Sequence, residues 1–125
     1  MDGNTKVAVI TGSATGIGAA SAIRLAQEGY HVVVNYTKSE REAHATADAC
    51  RAKGVEALVV QADVSRDADC RRMADAAAER WGRLDALVNS AGTTKIVPHH
   101  DLEGLVEADF QRIYAVNCIG PYQMT

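Results

Sequence analysis

Three glycines between two different hydrophobic patterns are the feature of this sequence best suited to chemistry. Gly12, Gly16 and Gly18 follow a continuous apolar run at residues 7–10, and a segment with helical spacing begins at the last of them. A chain that leaves a buried strand sharply and starts a helix at once needs a turn without side chains. The first N–H groups of that helix then point at an anion. The spacing therefore predicts a turn that holds the pyrophosphate of a dinucleotide.

Two hydroxyl side chains lie within the same turn. We expect Ser13 and Thr15 to add hydrogen bonds to a phosphate or to the ribose. The turn contains no lysine and departs from the G-x-x-x-x-G-K-[ST] spacing, which excludes a nucleoside-triphosphate P-loop. The alternative is a purely structural turn, in which the glycines only permit a tight connection between strand and helix.

The residues that end the second apolar run decide which dinucleotide fits. An acidic residue about 20 positions beyond the turn binds the 2′-hydroxyl of NAD, whereas basic residues there accept the 2′-phosphate of NADP. Tyr36, Thr37 and Lys38 stand at that place, and the stretch holds no carboxylate. Lys38 or Arg41 can pair with the phosphate, while Thr37 or Ser39 can donate hydrogen bonds. This pattern predicts NADP, with NAD as the alternative, unless Lys38 is only a solvated surface charge.

The elements that must position these residues follow from the apolar pattern. Short apolar runs at residues 7–10, 32–34, 57–60 and 84–88 are typical of strands buried on both faces of a parallel sheet, with Asp85 as the polar exception. Segments with apolar residues three or four apart lie between the runs. The alternation predicts an α/β fold, a Rossmann-type doubly wound parallel sheet, followed by two further helices at residues 101–111 and 113–125.

Polar residues mark where the predicted helices begin. Ser39 opens a capping-box pattern, Ser65 precedes the third helix, and Asp101 is the expected N-cap of the fourth. His99 and His100 precede Asp101, but adjacent side chains point in different directions and no third ligand has a suitable spacing. We therefore expect a polar loop there and no metal site.

Composition narrows the class of protein. The chain has 125 residues, 47% of them hydrophobic, and a net charge of −3, which fits one globular domain and disfavours nucleic acid as a partner. No apolar segment is long enough for a membrane span. The three cysteines, at positions 50, 70 and 118, are far apart and fit reduced buried thiols. The expectation is a cytoplasmic protein.

Four motifs, in order along the chain, resemble those of the short-chain dehydrogenase/reductase family. They are Thr11-Gly-x-x-x-Gly16-x-Gly18, Asp63-Val64, Asn89-Ser90-Ala91-Gly92 and the asparagine of Val116-Asn117. Ser90 stands where the family usually has a second asparagine. Among family members, the apolar sequence pattern most resembles that of 3-oxoacyl-acyl-carrier-protein reductases and glucose 1-dehydrogenases.

The resemblance implies a role for each motif. Asp63 is implied to bond the adenine amino group, with Val64 against the ring, and Asn117 to be the asparagine of a catalytic tetrad. From the residue types alone, Asp63 and Asn89 could instead be turn residues, and Asn117 a solvated helix residue. The cofactor-binding residues that the resemblance implies are Thr11, Gly12, Gly16, Ile17, Gly18, Asp63, Val64, Asn89, Ala91 and Gly92.

The implied reaction is the interconversion of an alcohol and a carbonyl compound by hydride transfer with NAD(P). In this family the proton for the carbonyl oxygen comes from a tyrosine that is followed four residues later by a lysine. None of the four tyrosines of this chain is followed by a lysine at that spacing. The chain is thus predicted to be residues 1–125 of a cofactor-binding domain, truncated before a fifth strand and inactive alone. The complete protein is expected to form a homo-oligomer that acts on a small molecule. The alternatives are a non-catalytic dinucleotide-binding or redox-sensing module, and an inactive truncated product.

Overall fold

A computed structural model describes residues 4–125, in which four parallel strands form one sheet. The strands are β1 (Val7–Thr11), β2 (His31–Tyr36), β3 (Ala57–Gln61) and β4 (Ala86–Asn89). Their order across the sheet is β3-β2-β1-β4, with β1 paired to both β2 and β4. The direction of winding therefore reverses between β1 and β4, which is the switch point where doubly wound sheets bind ligands.

Helices connect the strands and cover both faces of the sheet. They are α1 (Gly16–Gln27), α2 (Glu40–Arg51), α3 (Asp67–Trp81), α4 (Glu107–Tyr114) and α5 (Gly120–Met124). A π-helical turn, Ala115–Ile119, joins α4 to α5 without a break. The predicted α/β fold with a Rossmann-type parallel sheet is confirmed.

The alternation of side chains along β1 divides the core into two layers. Ala8 and Ile10 pack against α1 and α2, whereas Val7 and Val9 pack against α3 and the π-helical turn. On the first side the helices contribute small buried residues, which let them approach the sheet closely: Ala22, Ala26, Ala43 and Ala47.

The carboxyl-terminal helix begins later than its sequence pattern indicates. Asp101 lies in a turn, where its Oδ1 accepts the N–H of Glu103 at 3.2 Å, and this local bond competes with helix formation. Asp109 instead accepts the N–H of Val106 at 3.0 Å at the start of α4. The N-cap prediction for Asp101 is therefore wrong. The prediction of two helices separated at residue 112 is also wrong, because α4, the π-helical turn and α5 follow one another without a break from Glu107 to Met124.

Ser39 precedes α2 and Ser65 precedes α3 as predicted, but the capping box expected at Ser39 is wrong. The hydroxyl of Ser39 makes no capping hydrogen bond within residues 4–125. Ser65 donates its hydroxyl to Asp63 at 2.7 Å, because that carboxylate is nearer than the first turn of α3, which begins at Asp67.

Asp85, the polar exception in the fourth apolar run, joins the starts of two strands. Its Oδ2 accepts the N–H of Val7 at 2.8 Å. The hydrogen bond from Arg83, and then that from Val7, lower the pKa of Asp85 to about 2. The strand β4 begins at Ala86, directly after Asp85, rather than at position 84.

Candidate nucleotide-binding cleft

A cleft of about 470 Å³ opens at the carboxyl ends of the strands, beside the switch point between β1 and β4. It combines residues from the glycine turn, the end of β2, the loop after β3, the loop after β4 and the last helix. Of the residues predicted to bind a cofactor, those that line it are Gly12, Thr15, Ile17, Tyr36, Thr37, Lys38, Asp63, Val64, Ala91 and Gly92.

The three glycines of the turn are required for different physical reasons. At Gly12, where φ is +61°, a Cβ would lie 2.7 Å from the Cα of Ala91, so the loop after β4 closes tightly over the turn. A Cβ on Gly18 would collide with the carbonyl of Gly12. At Gly16, also at φ +61°, a Cβ would meet no atom of residues 4–125 within 4 Å. Gly12 and Gly18 are therefore needed by the protein itself, whereas Gly16 leaves open space beside the turn.

The hydroxyl of Ser13 is used inside the protein, contrary to the sequence expectation. Ser13 is fully buried; its Oγ donates to the carbonyl of Ile10 at 2.6 Å and accepts the N–H of Asn35 at 2.8 Å. The prediction of a phosphate contact for this hydroxyl is wrong, because both hydrogen bonds turn it toward the sheet. Thr15, by contrast, is exposed and lines the cleft.

Asn35 is a residue whose importance the sequence reasoning missed. Its buried amide accepts the N–H of Gly12 at 2.9 Å and donates to the carbonyls of Val60 and Ala62 at 3.2 and 3.1 Å. The signal was present, since one amide follows the buried run Val32–Val34, where a polar side chain needs partners. Asn35 therefore joins the glycine turn to the end of β3.

Thr11 ties the turn to the opposite side of the cleft. It is buried, and its Oγ1 accepts the N–H groups of Ser90 and Ala91, each at 3.1 Å. Asn89 pairs with Thr11 in the register of β1 and β4 and is exposed. Of this motif, the residues that line the cleft are Ser90, Ala91 and Gly92.

The N-terminus of α1 offers donors to the cleft. The N–H groups in the first turn of a helix have no intrahelical partner, and Thr15 caps none of them with its side chain within the described chain. Ile17, two residues after Thr15, is 81% exposed on the cleft wall, although it is a large apolar residue. Free donors beside an apolar surface suit an anionic group with a flat organic part.

An acidic residue and a basic residue meet at the other end of the cleft. Asp63 accepts the N–H and hydroxyl of Ser65 at 3.0 and 2.7 Å, and Nη1 of Arg112 donates to its second oxygen at 3.1 Å. Burial acts to raise the pKa of Asp63, but the hydrogen bonds from Ser65 and Arg112 outweigh it, so the pKa lies below its ordinary value. Asp63 is therefore an ionised acceptor, and Val64 lies buried beside it.

Asn117 lies on the π-helical turn and is held by the loop after β4. Its Oδ1 accepts the N–H of Thr93 at 2.8 Å and its Nδ2 donates to the carbonyl of Thr93 at 3.0 Å. Gly92 lies beside it, since a Cβ there would be 3.5 Å from Oδ1 of Asn117. The two-way bond fixes the orientation of the amide beside Gly92 and Thr93, which line the cleft, although Asn117 itself is not among the lining residues.

Metal and membrane chemistry find no support in the part of the chain that the structure describes. Within residues 4–125 no group of three His, Cys, Asp or Glu side chains could hold a metal ion, and His99 and His100 lie exposed. None of the helices in that range is long and apolar enough to cross a bilayer.

Comparison with known proteins gives related sequences and structures over nearly the whole chain. The family model described as short chain dehydrogenase matches residues 6–125. A protein of Streptomyces violaceoruber, assigned as ketoacyl reductase 2 of granaticin polyketide synthase, is 48% identical over 119 residues, 95% of this chain and 46% of that protein. A short-chain dehydrogenase/reductase homolog of Bacillus subtilis (strain 168) is 41% identical over 102 residues, 82% of this chain and 94% of that protein.

A crystal structure from Burkholderia xenovorans, assigned as a short-chain dehydrogenase/reductase, superimposes with a TM-score of 0.92 at 47% identity. The match covers 98% of this chain and 50% of that one. This chain thus spans about half the length of the Streptomyces and Burkholderia proteins. On the family model and these identities, the chain belongs to the short-chain dehydrogenase/reductase family.

Proposed function

We propose that this chain supplies the NADP(H)-binding part of an oxidoreductase that interconverts an alcohol and a carbonyl compound by hydride transfer. The observation that carries the proposal is the open space beside Gly16, where a left-handed residue without a side chain adjoins the free donors of α1. A pyrophosphate fits such a place because backbone N–H groups and the helix dipole both favour an anion there. The bound cofactor supplies the hydride chemistry.

The remaining residues of the cleft orient the cofactor. Asp63 accepts a hydrogen bond from the adenine amino group, and Val64 packs against the adenine ring. The hydrogen bond from Arg112 helps to keep the Asp63 carboxylate ionised and in place. Lys38 lies exposed on the wall formed by the end of β2 and pairs with the 2′-phosphate. The stretch 35–38 carries no carboxylate that would repel that phosphate, which supports NADP over NAD.

Asn117 is the member of the catalytic tetrad that this chain provides. Its amide is fixed against Thr93, which lines the cleft, and Asn117 itself is exposed. No Tyr-x-x-x-Lys pattern occurs in the 125 residues, so the proposed proton donor would have to come from further chain. We accordingly propose that the 125-residue chain binds the cofactor without catalysing turnover.

The wider proposals concern the complete protein. We infer a small alcohol or carbonyl compound as its substrate. We infer the cytoplasm as its location, since Cys50 and Cys70 are buried free thiols, whereas Cys118 is exposed and the expectation of a buried thiol there is wrong. Association into a homo-oligomer is supported by the exposed Phe110, Tyr114 and Tyr122 on the last helix.

The proposal is tested by substituting Gly16. Gly16→Val places a branched side chain in the space proposed for the pyrophosphate, and we expect NADPH affinity to fall by about tenfold or more. The measurement is titration of the chain with NADPH, followed by nucleotide fluorescence. Gly29→Val is the matched control, because Gly29 also has a positive φ, at +93°, and open space around it but lies at the far end of α1. Equal affinity in the two variants would contradict the proposal.

A second candidate is a non-catalytic dinucleotide-binding or redox-sensing module. It is favoured by the lack of a Tyr-x-x-x-Lys pattern in these 125 residues. The reading frame after Thr125 separates the two: an open frame that encodes this pattern supports the oxidoreductase, and a stop codon supports the module. NADPH binding then distinguishes the module from an inactive product.

A further inference from the structure

We propose that Asn35 is a positioning residue, which sets the geometry between the pyrophosphate subsite at the glycine turn and the adenosine subsite at β2 and β3. This inference deepens the proposed function and rests on it.

The side chain of Asn35 joins two segments that are distant in sequence. It is 2% exposed; its Oδ1 accepts the N–H of Gly12 at 2.9 Å, and its Nδ2 donates to the carbonyls of Val60 and Ala62. The amide side chain of asparagine is neutral, accepts hydrogen bonds through its oxygen and donates two hydrogen bonds through its NH₂ group. Asparagine therefore suits a place with one N–H on one side and two carbonyls on the other.

The main chain of Asn35 strengthens the same connection. Its N–H donates to Oγ of Ser13 at 2.8 Å, and its carbonyl accepts the N–H of Ser13 at 3.0 Å. Two consecutive residues of the turn, Gly12 and Ser13, are thus held by one residue of β2. The turn is fixed to the strand end that leads into Tyr36 and Lys38.

These bonds have a consequence for ligands of different length. Gly12 begins the turn proposed for the pyrophosphate, and Ala62 directly precedes Asp63, which is proposed to hold adenine. A ligand that spans both places gains affinity when their separation is preset, whereas a ligand confined to one place does not. Asn35 should therefore matter more for a dinucleotide than for a fragment of it.

The test compares two ligands on three forms of the 125-residue chain by titration calorimetry. NADPH spans both subsites, and 2′-AMP occupies the adenosine side. The variants are Asn35→Leu and, as a matched control at the other end of β2, His31→Leu, which also leaves one partly buried N–H, that of Glu56, without its acceptor.

We expect Asn35→Leu to weaken NADPH by about tenfold and 2′-AMP by less than about threefold, with His31→Leu changing both ligands by less than about threefold. Equal losses for both ligands in Asn35→Leu, or no loss for NADPH, would overturn the inference. If Asn35→Leu does not fold, Asn35→Ser, which leaves room for water, is judged by the same ratio. A wild-type chain that binds NADPH no better than 2′-AMP would overturn the proposed function itself.

Discussion

Two basic side chains, Arg112 and Lys38, line the cleft and differ in their surroundings. Arg112 is bound to Asp63 at 3.1 Å, so its charge is directed at the carboxylate that it holds in place. Lys38 lies exposed where β2 ends, beside Tyr36 and Thr37. We therefore propose that Lys38 decides the choice between the two nicotinamide dinucleotides.

We predict that Lys38→Glu weakens NADPH by about tenfold or more and NADH by less than about threefold. A carboxylate there repels the 2′-phosphate but can accept a hydrogen bond from a 2′-hydroxyl. Fluorescence titration with both nucleotides measures the difference. Lys53→Glu makes the same change of charge on an exposed residue after α2, away from the cleft, and should affect neither ligand. An equal loss for NADPH and NADH in Lys38→Glu would contradict the assignment.

His31, at the opposite end of β2 from the cleft, should make stability depend on pH. Its Nδ1 accepts the N–H of Glu56 at 3.0 Å, and its ring stacks on Trp81. Burial lowers the pKa of His31 below 6.5; Glu56 acts against this shift and Arg80 adds to it. The folded state therefore binds fewer protons than the unfolded state, so the stabilisation is present above pH 6.5 and is lost as the pH falls below it.

The expected result is a free energy of unfolding that decreases from pH 7.5 to pH 5, with a slope of at most about 1.4 kcal/mol per pH unit from this one group. Urea unfolding at a series of pH values measures it. His31→Leu should flatten this slope, while His44→Gln, at an exposed position on α2, should keep it. A His31→Leu variant with the wild-type slope would show that another group is responsible.

The identity of residues around the cleft was predictable, but their partners were not. The glycines of the turn were found by type and spacing, because a strand followed by a glycine turn leaves a local pattern. Thr11, Asp63 and Asn117 were identified only through the resemblance to the family. The burial of Ser13 and the bonds of Asn35 depend on which segments meet in space. Such contacts join residues more than 20 positions apart, and a single sequence carries no local record of them.

At the scale of elements, the strands were easier to predict than the last helix. Four continuous apolar runs have one stable solution, a parallel sheet covered on both faces, and all four strands form close to the predicted residues. The segment 101–125 has weaker periodicity, and the local turn at Asp101 delays the helix to Glu107. The π-helical turn was not predicted, because an extra residue in a turn changes the hydrophobic period only over a few positions.

At the scale of the whole molecule, the sheet of the described chain ends in two edge strands, β3 and β4, and one helix face lies open. In the sheet of residues 4–125, β4 pairs with β1 alone, so its other edge presents unpaired backbone groups. Phe110 and Tyr114 lie one turn apart on α4 and are 63% and 61% exposed. An open edge and exposed aromatic side chains together favour association.

We therefore expect the 125-residue chain to associate at micromolar concentrations and to melt over a broad range. Substituting both Phe110→Glu and Tyr114→Glu should reduce association, whereas Ile96→Glu, at an even more exposed apolar position in the loop after β4, should have a smaller effect. Light scattering during a thermal melt measures both properties. A monodisperse monomer with a sharp, cooperative transition would contradict this expectation.

The helical segment that contains the π-helical turn Ala115–Ile119 bonds to two loops that follow different strands of the sheet. Asn117, within it, bonds to Thr93 after β4, whereas Gln123, beyond it, donates to the carbonyl of Val64 after β3 at 2.7 Å. Deleting one residue of the turn would restore ordinary winding and rotate everything beyond it by about 100°. The amide of Gln123 would then turn away from Val64. The extra residue of the π-helical turn therefore sets the rotation at which the end of the helix contacts the loop after β3.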